Sequence, residues 1–469
     1  MNLNGIRVLV LGLGETGLSM AKWLAGRGAR VRVADSRVTA PELVALRASL
    51  PDAEVHLGGW QDASFAGVDL IAISPGIARS TPQVGRAISA GMEVIGDVEL
   101  FARALPPAGD DARPRIVAIT GTNGKSTVTA LAGAMCRAAG LDAEVAGNIS
   151  PAVLDALAAR DARGVPAAAW VLELSSFQLE STMSLAPDAA TVLNLTEDHL
   201  DRHGTMAAYG VAKARIFAGN GMQVLNRDDP ASLAMARPGR ACVTFGLDAP
   251  PGTEHFGLLE RAGAPWLAQG GRPLIAAAAL PIAGRHNAAN ALAALALCRA
   301  IGLPFEPLLV ALRTFRGLPH RVEWVAEHHG VRFYDDSKGT NVGSTVAALH
   351  GLAGTGVAGA RVVLIAGGEG KGQDFAPLRD AVARAARAVV LIGRDAPLIR
   401  DAVRSAGVPI VAAASMEDAV SLAAGQARPG DAVLLSPACA SFDMFRNYSH
   451  RGEAFQAAVG NLLEGGRDA

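Results

Sequence analysis

A glycine-rich loop that ends in a lysine and two hydroxyls is the part of this chain best suited to chemistry. The loop, GTNGKST at residues 121–127, lies between an apolar segment predicted as a strand (116–120) and an alanine-rich predicted helix (128–139). Backbone N–H groups in such a loop surround phosphates, while Lys125 supplies positive charge and the Ser126 hydroxyl reaches Mg²⁺. The spacing is shorter than in the common phosphate-binding loop, since only two residues separate the glycines. We predict a site for ATP or GTP here.

A second glycine loop near the start of the chain indicates binding of a nucleotide diphosphate. GLGETG at residues 12–17 follows a predicted strand at 7–11, and Asp35 ends the next predicted strand. The glycines allow a tight turn, the helix N-terminus offers free N–H groups to a diphosphate, and Asp35 offers an acceptor to ribose or base. The pattern is a weak signal by itself, and a glycine turn needed only for packing remains the alternative.

Acidic and imidazole side chains beyond two predicted strands indicate a metal-binding neighbourhood. Glu173 ends the apolar segment 169–173, and His199 follows the apolar segment 190–195 within TEDHLDRH. The carboxyl ends of parallel strands meet at one edge of a sheet, where phosphoryl transfer needs metal ligands. A helix cap or a solvated charge explains either residue equally well when each is taken without the phosphate loop.

Lys213 occupies an unusual position on a predicted helix. On the helix predicted for residues 206–218, its neighbours one turn away are Tyr209, Ile216 and Phe217, which places the lysine on the apolar face. The commonest arrangement is a stem along that face with the amine in solvent. The alternative is a buried amine with a lowered pKa, available for catalysis or carbamylation.

The elements that must position these residues alternate strand and helix along the whole chain. Such alternation implies right-handed crossovers and parallel sheets. Two segments interrupt it, LPPAGDDARPR at 105–115 and RGLPHR at 316–321, and both are rich in turn formers and charge. We therefore predict an α/β protein of three domains, with ranges 1–104, 105–315 and 316–469, and expect the two interruptions to act as hinges.

Composition excludes several classes of protein. The 469 residues contain 43 basic and 44 acidic side chains, a balance that argues against disorder and against a nucleic-acid partner. The four cysteines are scattered, which argues against a disulfide framework or a zinc site. No apolar stretch is long enough for a membrane span, and the first residues do not read as a signal peptide. We expect a cytoplasmic, monomeric protein with no nucleic acid partner and no membrane span.

Several motifs, taken together, resemble one enzyme family. GTNGKST, LELSSFQLE, NLTEDHLDRH and GRHNAANALAA occur in this order and resemble the ATP-dependent Mur ligases of peptidoglycan synthesis. The blocks YDDSKGTNVGS (334–344), GGEGK (367–371) and SPACASFDMF resemble those of the member that adds D-glutamate. The phosphate loop is shared with folylpolyglutamate synthases and identifies only the superfamily.

The resemblance implies both a fold and a reaction. It implies an N-terminal Rossmann-like domain that binds the UDP substrate, a central P-loop NTPase-like domain with a mostly parallel sheet that binds ATP, and a C-terminal Rossmann-like domain that binds the amino acid. ATP, with Mg²⁺ as cofactor, would phosphorylate the carboxylate of UDP-N-acetylmuramoyl-L-alanine, and the amine of D-glutamate would attack the acyl-phosphate. The tetrahedral intermediate would then expel phosphate.

The resemblance also implies roles for individual residues. Residues implied for the UDP substrate are Gly14, Thr16, Asp35, Ser36, Arg37, Ser74, Gly76 and Asn148. Those implied for ATP are Gly121, Thr122, Asn123, Gly124, Lys125, Ser126, Thr127, Asn290, Arg321 and Asp336, with Asn287 and His320 nearby. Those implied for D-glutamate are Lys338, Thr340, Lys371, Ser441 and Phe442. The implied metal ligands are Ser126, Glu173, His199 and Lys213 as a carbamate, and the implied catalytic set is Lys125, Glu173, His199 and Lys213.

Three positions depart from the family pattern, and three other functions remain alternatives. Gly339 stands where alanine is expected, and Phe442 and Tyr448 are bulky for an amino-acid pocket, so we expect that pocket to have different dimensions. The alternatives are a folylpolyglutamate synthase-like or other Mur ligase, an NAD(P)-dependent oxidoreductase suggested by GLGETG, and a P-loop binding protein without bond-forming chemistry.

Overall fold

The first domain is a parallel sheet with helices on its faces. The computed structural model describes residues 3–107, 109–282, 284–353 and 359–465. The elements of the first domain are β1 Arg7–Leu11, α1 Glu15–Gly26, β2 Arg30–Asp35, α2 Leu43–Ser49, β3 Glu54–Leu57, α3 Asp62–Phe65, β4 Leu70–Ile73, α4 Pro82–Ser89, β5 Val94–Ile95 and α5 Asp97–Ala104. The strand order is β3-β2-β1-β4-β5, with all pairs parallel. Because helices cover both faces, β1 and β4 are apolar without alternation.

The central domain is built around a six-stranded parallel sheet. Its elements up to the sheet edge are β6 Arg115–Thr120, α6 Lys125–Ala138, β7 Ala143–Gly147, α7 Val153–Arg163, β8 Ala169–Glu173, α8 Ser176–Glu180, β9 Ala189–Val192, α9 Leu200–His203, α10 Met206–Ala214, β10 Met222–Asn226, α11 Pro230–Leu233 and β11 Cys242–Phe245. The order β11-β10-β9-β6-β8-β7 puts β6, which leads into the phosphate loop, between β9 and β8. The carboxyl ends of these three strands therefore lie side by side, as the sequence predicted.

A small antiparallel sheet and two helices complete the central domain. The sheet consists of β12 Phe256–Arg261, β13 Ala264–Gln269 and β14 Arg272–Ala276, and the helices are α12 Arg285–Ala300 and α13 Phe305–Thr314. Helix α12 carries buried apolar residues on most of its faces, because it contacts both α6 and the strands β9, β10 and β11. This antiparallel sheet was not predicted from the sequence.

The third domain repeats the parallel architecture with one antiparallel edge. Its elements are β15 Glu323–His328, β16 Val331–Asp335, α14 Val342–Leu352, β17 Val362–Gly367, α15 Leu378–Ala385, β18 Ala386–Ile392, α16 Ala396–Val403, β19 Ile410–Ala412, α17 Met416–Gln426, β20 Ala432–Leu435 and α18 Tyr448–Gly465. The order is β15-β16-β20-β17-β18-β19, and β15 runs antiparallel to β16. The predicted α/β fold of three domains, with mostly parallel sheets, is thus confirmed.

Several predicted boundaries need correction. The helix predicted to begin at residue 128 begins at Lys125, because Gly124 takes a left-handed conformation (φ 85°) and serves as its N-cap. The helix predicted for 206–218 ends as α-helix at Ala214 and continues as a 3₁₀ turn over Arg215–Phe217. Strands β3 and β15 were also not predicted. Both are partly exposed, and charged or histidine residues interrupt their apolar residues.

Helix α5 joins the first domain to the central one. The Phe101 ring packs edge-to-face on Trp170 of β8, with centroids 4.8 Å apart. The buried Glu99 carboxylate accepts hydrogen bonds from the backbone N–H groups of Met183 and Ser184, at 2.7 and 2.8 Å. Apolar and charged contacts together thus fix the first sheet against the second.

The apolar interior and the cysteines agree with the predicted class. One buried cluster runs from the first sheet into the central domain, and others fill the central and third domains. All four cysteines carry free thiols. Among the residues that the structure describes, no helix is both long enough and apolar enough to cross a membrane.

Candidate functional site

The phosphate loop is shaped by two glycines and closed by its own lysine. Gly121 (φ 151°) passes so close to Leu193 that a Cβ at this position would lie 2.9 Å from the leucine Cβ. The Lys125 ammonium donates to the carbonyls of Gly121 and Thr122, at 2.9 and 2.8 Å. Burial lowers the pKa of this lysine, and the nearby Glu173 opposes the shift. The loop therefore places a cation beside the N–H groups that begin α6, an arrangement that suits polyphosphate.

A cavity of about 370 Å³ lies between the central and third domains, and we call it the junction cavity. Its walls include Ser126 of the phosphate loop, Asn148 and Glu173 of the central domain, and Lys338 and Tyr448 of the third domain. One Glu173 oxygen accepts from the Asn148 amide at 2.6 Å, whereas the other is buried without a hydrogen-bond partner in the described residues. An unpaired buried carboxylate oxygen is costly, so this wall suits a bound cation.

The structure decides between the two arrangements predicted for Lys213 in favour of the buried amine. The side chain is only 1% exposed, and its ammonium donates to the Gly121 carbonyl at 2.8 Å. It also lies 4.5 Å from the centroid of the Tyr209 ring. Desolvation, reinforced by the neighbouring Lys125, holds the pKa of the Lys213 amine well below its ordinary value. The arrangement with the amine in solvent is wrong, because α10 packs directly against the phosphate loop.

The two histidines of TEDHLDRH have different environments. His199 precedes α9 in a left-handed conformation (φ 54°), its ring packs on Phe177, and its Nε2 lies 3.5 Å from Asp198. Partial desolvation lowers the His199 pKa, with Asp198 opposing and Lys125 contributing, which favours the neutral ring and its lone pair. His203 instead contacts the Ser176 hydroxyl at 3.0 Å and Glu180 at 3.3 Å, which makes it part of the packing of α8.

A second cavity, of about 430 Å³, lies above the first sheet, and we call it the N-terminal cavity. All eight residues predicted for the UDP substrate line it, from Gly14 to Asn148. The sequence left open whether the glycines of this loop serve packing or the approach of a ligand, and Gly17 and Gly14 differ in this respect. A Cβ on Gly17 would lie 1.8 Å from the Gly12 carbonyl oxygen, whereas one on Gly14 would meet nothing within 4 Å. Gly17 is therefore required by packing, and Gly14 leaves backbone exposed to the cavity.

Asp35 is engaged more fully than the sequence suggested. Its carboxylate accepts from the Leu13 N–H at 2.7 Å and from the backbone and guanidinium of Arg37 at 2.7 to 2.9 Å. Burial favours the neutral acid, but these hydrogen bonds outweigh it and hold the Asp35 pKa at about 2. Its four acceptor positions are in use. The residue therefore orients Arg37 and the glycine loop rather than offering an open acceptor to ribose or base.

A narrow cleft of about 170 Å³ separates the central and third domains, and we call it the interdomain cleft. Of the residues predicted for ATP, those in its lining are Asn123, Gly124, Thr127, Asn290, Arg321 and Asp336, with Asn287 beside them. Arg321 donates to the Ser126 hydroxyl at 2.8 Å and so connects the third domain to the phosphate loop. The Ser436 hydroxyl donates to Asp336 at 2.7 Å, yet burial raises the Asp336 pKa to about 7.

The residues predicted for D-glutamate are only partly brought together. Lys338 lines both the interdomain cleft and the junction cavity, and its ammonium lies 3.6 Å from the centroid of the Tyr448 ring. The other predicted residues lie outside the linings of these cavities, with Lys371 5.8 Å from the centroid of the Phe442 ring. Phe442 is 65% exposed and Ser441 is buried. The large side chain of Tyr448 thus covers Lys338, while that of Phe442 points to solvent.

Sequence reasoning missed several residues that the structure adds to these cavities. Trp60 and Gln178 line the N-terminal cavity, and Phe245, Asn226 and His286 line the interdomain cleft. Gln178 lies within LELSSFQLE, so the motif itself carried a signal for it. Trp60 lies in the loop after β3, and Phe245 is the last residue of β11. Neither position has a sequence pattern that marks a pocket.

Family comparisons cover all three domains. Residues 6–96 match the N-terminal domain of MurD-like Mur ligases, residues 119–298 match the Mur ligase middle domain, and residues 320–439 match the Mur ligase glutamate ligase domain. Together these matches span well over half of the chain.

Close relatives share nearly the full length. Proteins named UDP-N-acetylmuramoylalanine–D-glutamate ligase are 59% identical in Nitrosospira multiformis (98% of this chain, 97% of the relative) and 58% identical in Aromatoleum aromaticum (98% of each). A third, from Thiobacillus denitrificans, is 56% identical over 98% of each chain.

Solved structures with the same fold are more distant in sequence. The UDP-N-acetylmuramate–alanine ligase MurC of Thermotoga maritima superposes with a TM-score of 0.60 at 18% identity, over 97% of this chain and 99% of that one. MurF of Acinetobacter baumannii gives 0.60 at 17% identity, over 98% and 93%. These likenesses show the fold, and the relatives above show the family. The chain belongs to the Mur ligase family, in the branch whose curated members are named UDP-N-acetylmuramoylalanine–D-glutamate ligase.

Proposed function

We propose that this chain joins D-glutamate to UDP-N-acetylmuramoyl-L-alanine and converts ATP to ADP and phosphate. The observation that carries the proposal is the shared lining of the three cavities. Asn148 and Ser150 belong to both the N-terminal and the junction cavity, and Arg321 and Lys338 belong to both the interdomain cleft and the junction cavity. A carboxylate entering from one side and a γ-phosphate from the other would therefore meet in the junction cavity.

The phosphate loop would bind and polarise ATP. Lys125, Ser126 and the N–H groups at the start of α6 face the position of the β- and γ-phosphates, and Arg321 approaches from the third domain. The γ-phosphoryl group passes to the alanine carboxylate, which gives an acyl-phosphate and ADP. The amine of D-glutamate then attacks the acyl carbon, and the tetrahedral intermediate expels phosphate as the amide forms.

Glu173 would ligate one Mg²⁺ ion and His199 a second, and the Ser126 hydroxyl would reach Mg²⁺ from the phosphate loop. The unpartnered Glu173 oxygen and the neutral form of the His199 ring would each provide a lone pair near Lys125. Mg²⁺ at this position supplies positive charge to the phosphoryl oxygens. Asn148 keeps the Glu173 carboxylate in place through its 2.6 Å hydrogen bond.

Lys213 would act as a carbamate. A neutral amine is the form that adds to CO₂: the nitrogen forms a bond to carbon and releases a proton, which leaves a carbamate anion. The lowered pKa of the buried Lys213 amine favours this neutral form. A carbamate would place an anion beside Lys125 and would add an oxygen ligand to the metal site.

The remaining predicted residues would bind the other substrates. Gly14, Thr16, Ser36, Arg37, Ser74 and Gly76 would bind the UDP group in the N-terminal cavity, with Asp35 holding Arg37. Asn290 and Asp336 would contact adenosine and phosphate, and Lys338, Thr340, Lys371, Ser441 and Phe442 would form the amino-acid site. We also propose the domain ranges 1–104, 105–315 and 316–469, a cytoplasmic location and a monomeric state.

An amino-acid specificity assay tests the proposal. Release of ADP and phosphate should require UDP-N-acetylmuramoyl-L-alanine and D-glutamate together, and Lys125→Ala should abolish it. Equal turnover with L-lysine or diaminopimelate in place of D-glutamate would contradict the assignment. Turnover with a folate substrate and glutamate would favour a folylpolyglutamate synthase-like activity instead.

A further inference from the structure

The side chain of Gln373 connects three separate segments of the third domain. Its Oε1 accepts from the backbone N–H of Val342, the first residue of α14, at 2.9 Å. Its Nε2 donates to the carbonyl of Gly370 at 3.0 Å and to that of Ala438 at 2.8 Å. One amide thus links the loop after β17, the loop after β20 and the N-terminus of α14.

These three segments are the ones that carry the residues proposed for D-glutamate. Lys338 and Thr340 precede α14, Lys371 lies between Gly370 and Gln373, and Ser441 follows Ala438. The loops after β17 and β20 also pair directly, through reciprocal backbone hydrogen bonds of 2.9 Å between Glu369 and Ala440. Gln373 adds α14 to that pair, so its side chain spans all parts of the proposed site.

Two residues close to Gln373, its hydrogen-bond partner Ala438 and the preceding Lys371, have left-handed backbone conformations. Ala438 takes a left-handed conformation (φ 59°) that is unfavourable for a residue with a Cβ. The Ala438 N–H donates to the Gly339 carbonyl at 3.0 Å, and the Ala438 carbonyl accepts from Gln373. Both backbone polar groups of Ala438 are therefore hydrogen-bonded. Lys371 is also left-handed (φ 53°), two residues before Gln373.

We propose that Gln373 is a positioning residue for the amino-acid site, which sets the separation between Lys371 and the segment that carries Lys338. A dicarboxylate requires cations and donors at fixed separation, and these come from different loops. Only a side chain with both an acceptor and an N–H₂ group satisfies one backbone N–H and two carbonyls at once. The inference rests on the proposed function, since it concerns the same amino-acid site.

Two substitutions at this position provide the test. Gln373→Ala removes all three hydrogen bonds, and Gln373→Glu retains an acceptor for Val342 but directs negative charge at two carbonyls. Both should raise KM for D-glutamate about tenfold, while KM for ATP and for the UDP substrate stays within about twofold of wild type. Gln426→Ala, at the end of α17 and half-buried like Gln373, is the matched control and should leave all three constants unchanged.

The outcomes separate this inference from the proposed function. A D-glutamate KM for Gln373→Ala within twofold of wild type would overturn the inference, as would an equal rise in all three constants. Lys371→Met tests the site itself: if this variant raises KM for D-glutamate and Gln373→Ala does not, the site stands and the positioning role fails. If neither variant changes KM, both fail. A rise in Gln373→Ala alone would remove Lys371 from the site and would therefore overturn the inference, which assigns to Gln373 the placement of Lys371.

Discussion

At the scale of single residues, the main feature is that the buried Lys213 and the half-buried Lys125 share one carbonyl. Lys125 and Lys213 both donate to the Gly121 oxygen, at 2.9 and 2.8 Å. Burial lowers the pKa of both amines, and charge repulsion by Lys125 lowers the pKa of Lys213 further. Binding of polyphosphate and conversion of Lys213 to an anion would both relieve this repulsion.

Replacing Lys213 tests that role. We expect Lys213→Ala to lower kcat at least about 100-fold, because it removes a proposed ligand of the metal rather than a packing group alone. Short carboxylic acids such as acetate should restore part of the activity by entering the vacated space. Wild-type activity of the variant would return Lys213 to a packing role, and a lack of rescue together with a lost thermal transition would indicate misfolding.

Asp336 makes stability depend on pH. Its pKa is raised to about 7 in the folded state from 3.8, so the stability it contributes is fully present below about pH 4 and is lost as pH rises through 7. Between pH 5 and 8 the wild type should therefore lose roughly 2 to 3 kcal/mol that Asp336→Asn retains. Urea denaturation across this range measures the difference. Asp401→Asn, on the exposed side of α16, should follow the wild-type profile, and an Asp336→Asn curve parallel to wild type would contradict the expectation.

At the scale of elements, one arginine connects α9 and α8 to the first domain. Arg202 donates to Glu180 of α8 at 2.7 Å and to the carbonyl of Ile77 at 3.0 Å, and its guanidinium lies over the Phe177 ring. Ile77 lies in the wall of the N-terminal cavity. The segment that carries the proposed metal ligand His199 is therefore tied to the wall that would bind the UDP substrate.

Removing this connection should weaken one substrate selectively. Arg202→Ala is expected to raise KM for the UDP substrate roughly tenfold, because a charged hydrogen bond and a backbone contact are lost together, while KM for ATP changes little. Steady-state kinetics with each substrate varied in turn provide the measurement. Arg86→Ala, which removes an exposed ion pair with Asp62 in the same domain, serves as the control. Equal effects of the two substitutions would contradict the role.

At the scale of the whole molecule, the third domain is closed onto the phosphate loop. Arg321 donates to Ser126, and the Asn341 amide reaches Asn123 at 3.2 Å and Asp198 at 3.4 Å. Polar contacts of this kind exchange easily for contacts with ligand and water. The interdomain cleft, with a volume of about 170 Å³, is also tight for a nucleotide. We therefore expect the third domain to move when ATP enters.

Scattering in solution tests this motion. We expect the ligand-free protein to be more extended than the complex with a non-hydrolysable ATP analogue and the UDP substrate, with rotation at residues 316–321 and, to a lesser degree, 105–115. A decrease in the radius of gyration on adding both ligands would support hinge closure. Identical scattering curves with and without ligands would contradict it, and the same titration with Lys125→Ala controls for effects of the additives.

The sequence by itself determined the elements and motifs that nearby residues specify. The strand before each glycine loop, the helix after it and the residues in the order GTNGKST were readable, because backbone turns and phosphate contacts depend on local residue types. The small antiparallel sheet β12–β14 was not, because its three short strands alternate less clearly than the buried parallel strands.

Contacts between residues that are far apart in the sequence were decided only by the tertiary structure. The burial of the Lys213 amine depends on the packing of α10 against a loop 92 residues away, and the unpaired Glu173 oxygen lies at a cavity with walls from two domains. Likewise, Asp35 offered an open acceptor in the sequence, whereas the folded loop supplies it with four donors. Burial and pairing of a charged group are set by its neighbours in space, and these neighbours are separated too widely along the chain for any local pattern to specify them.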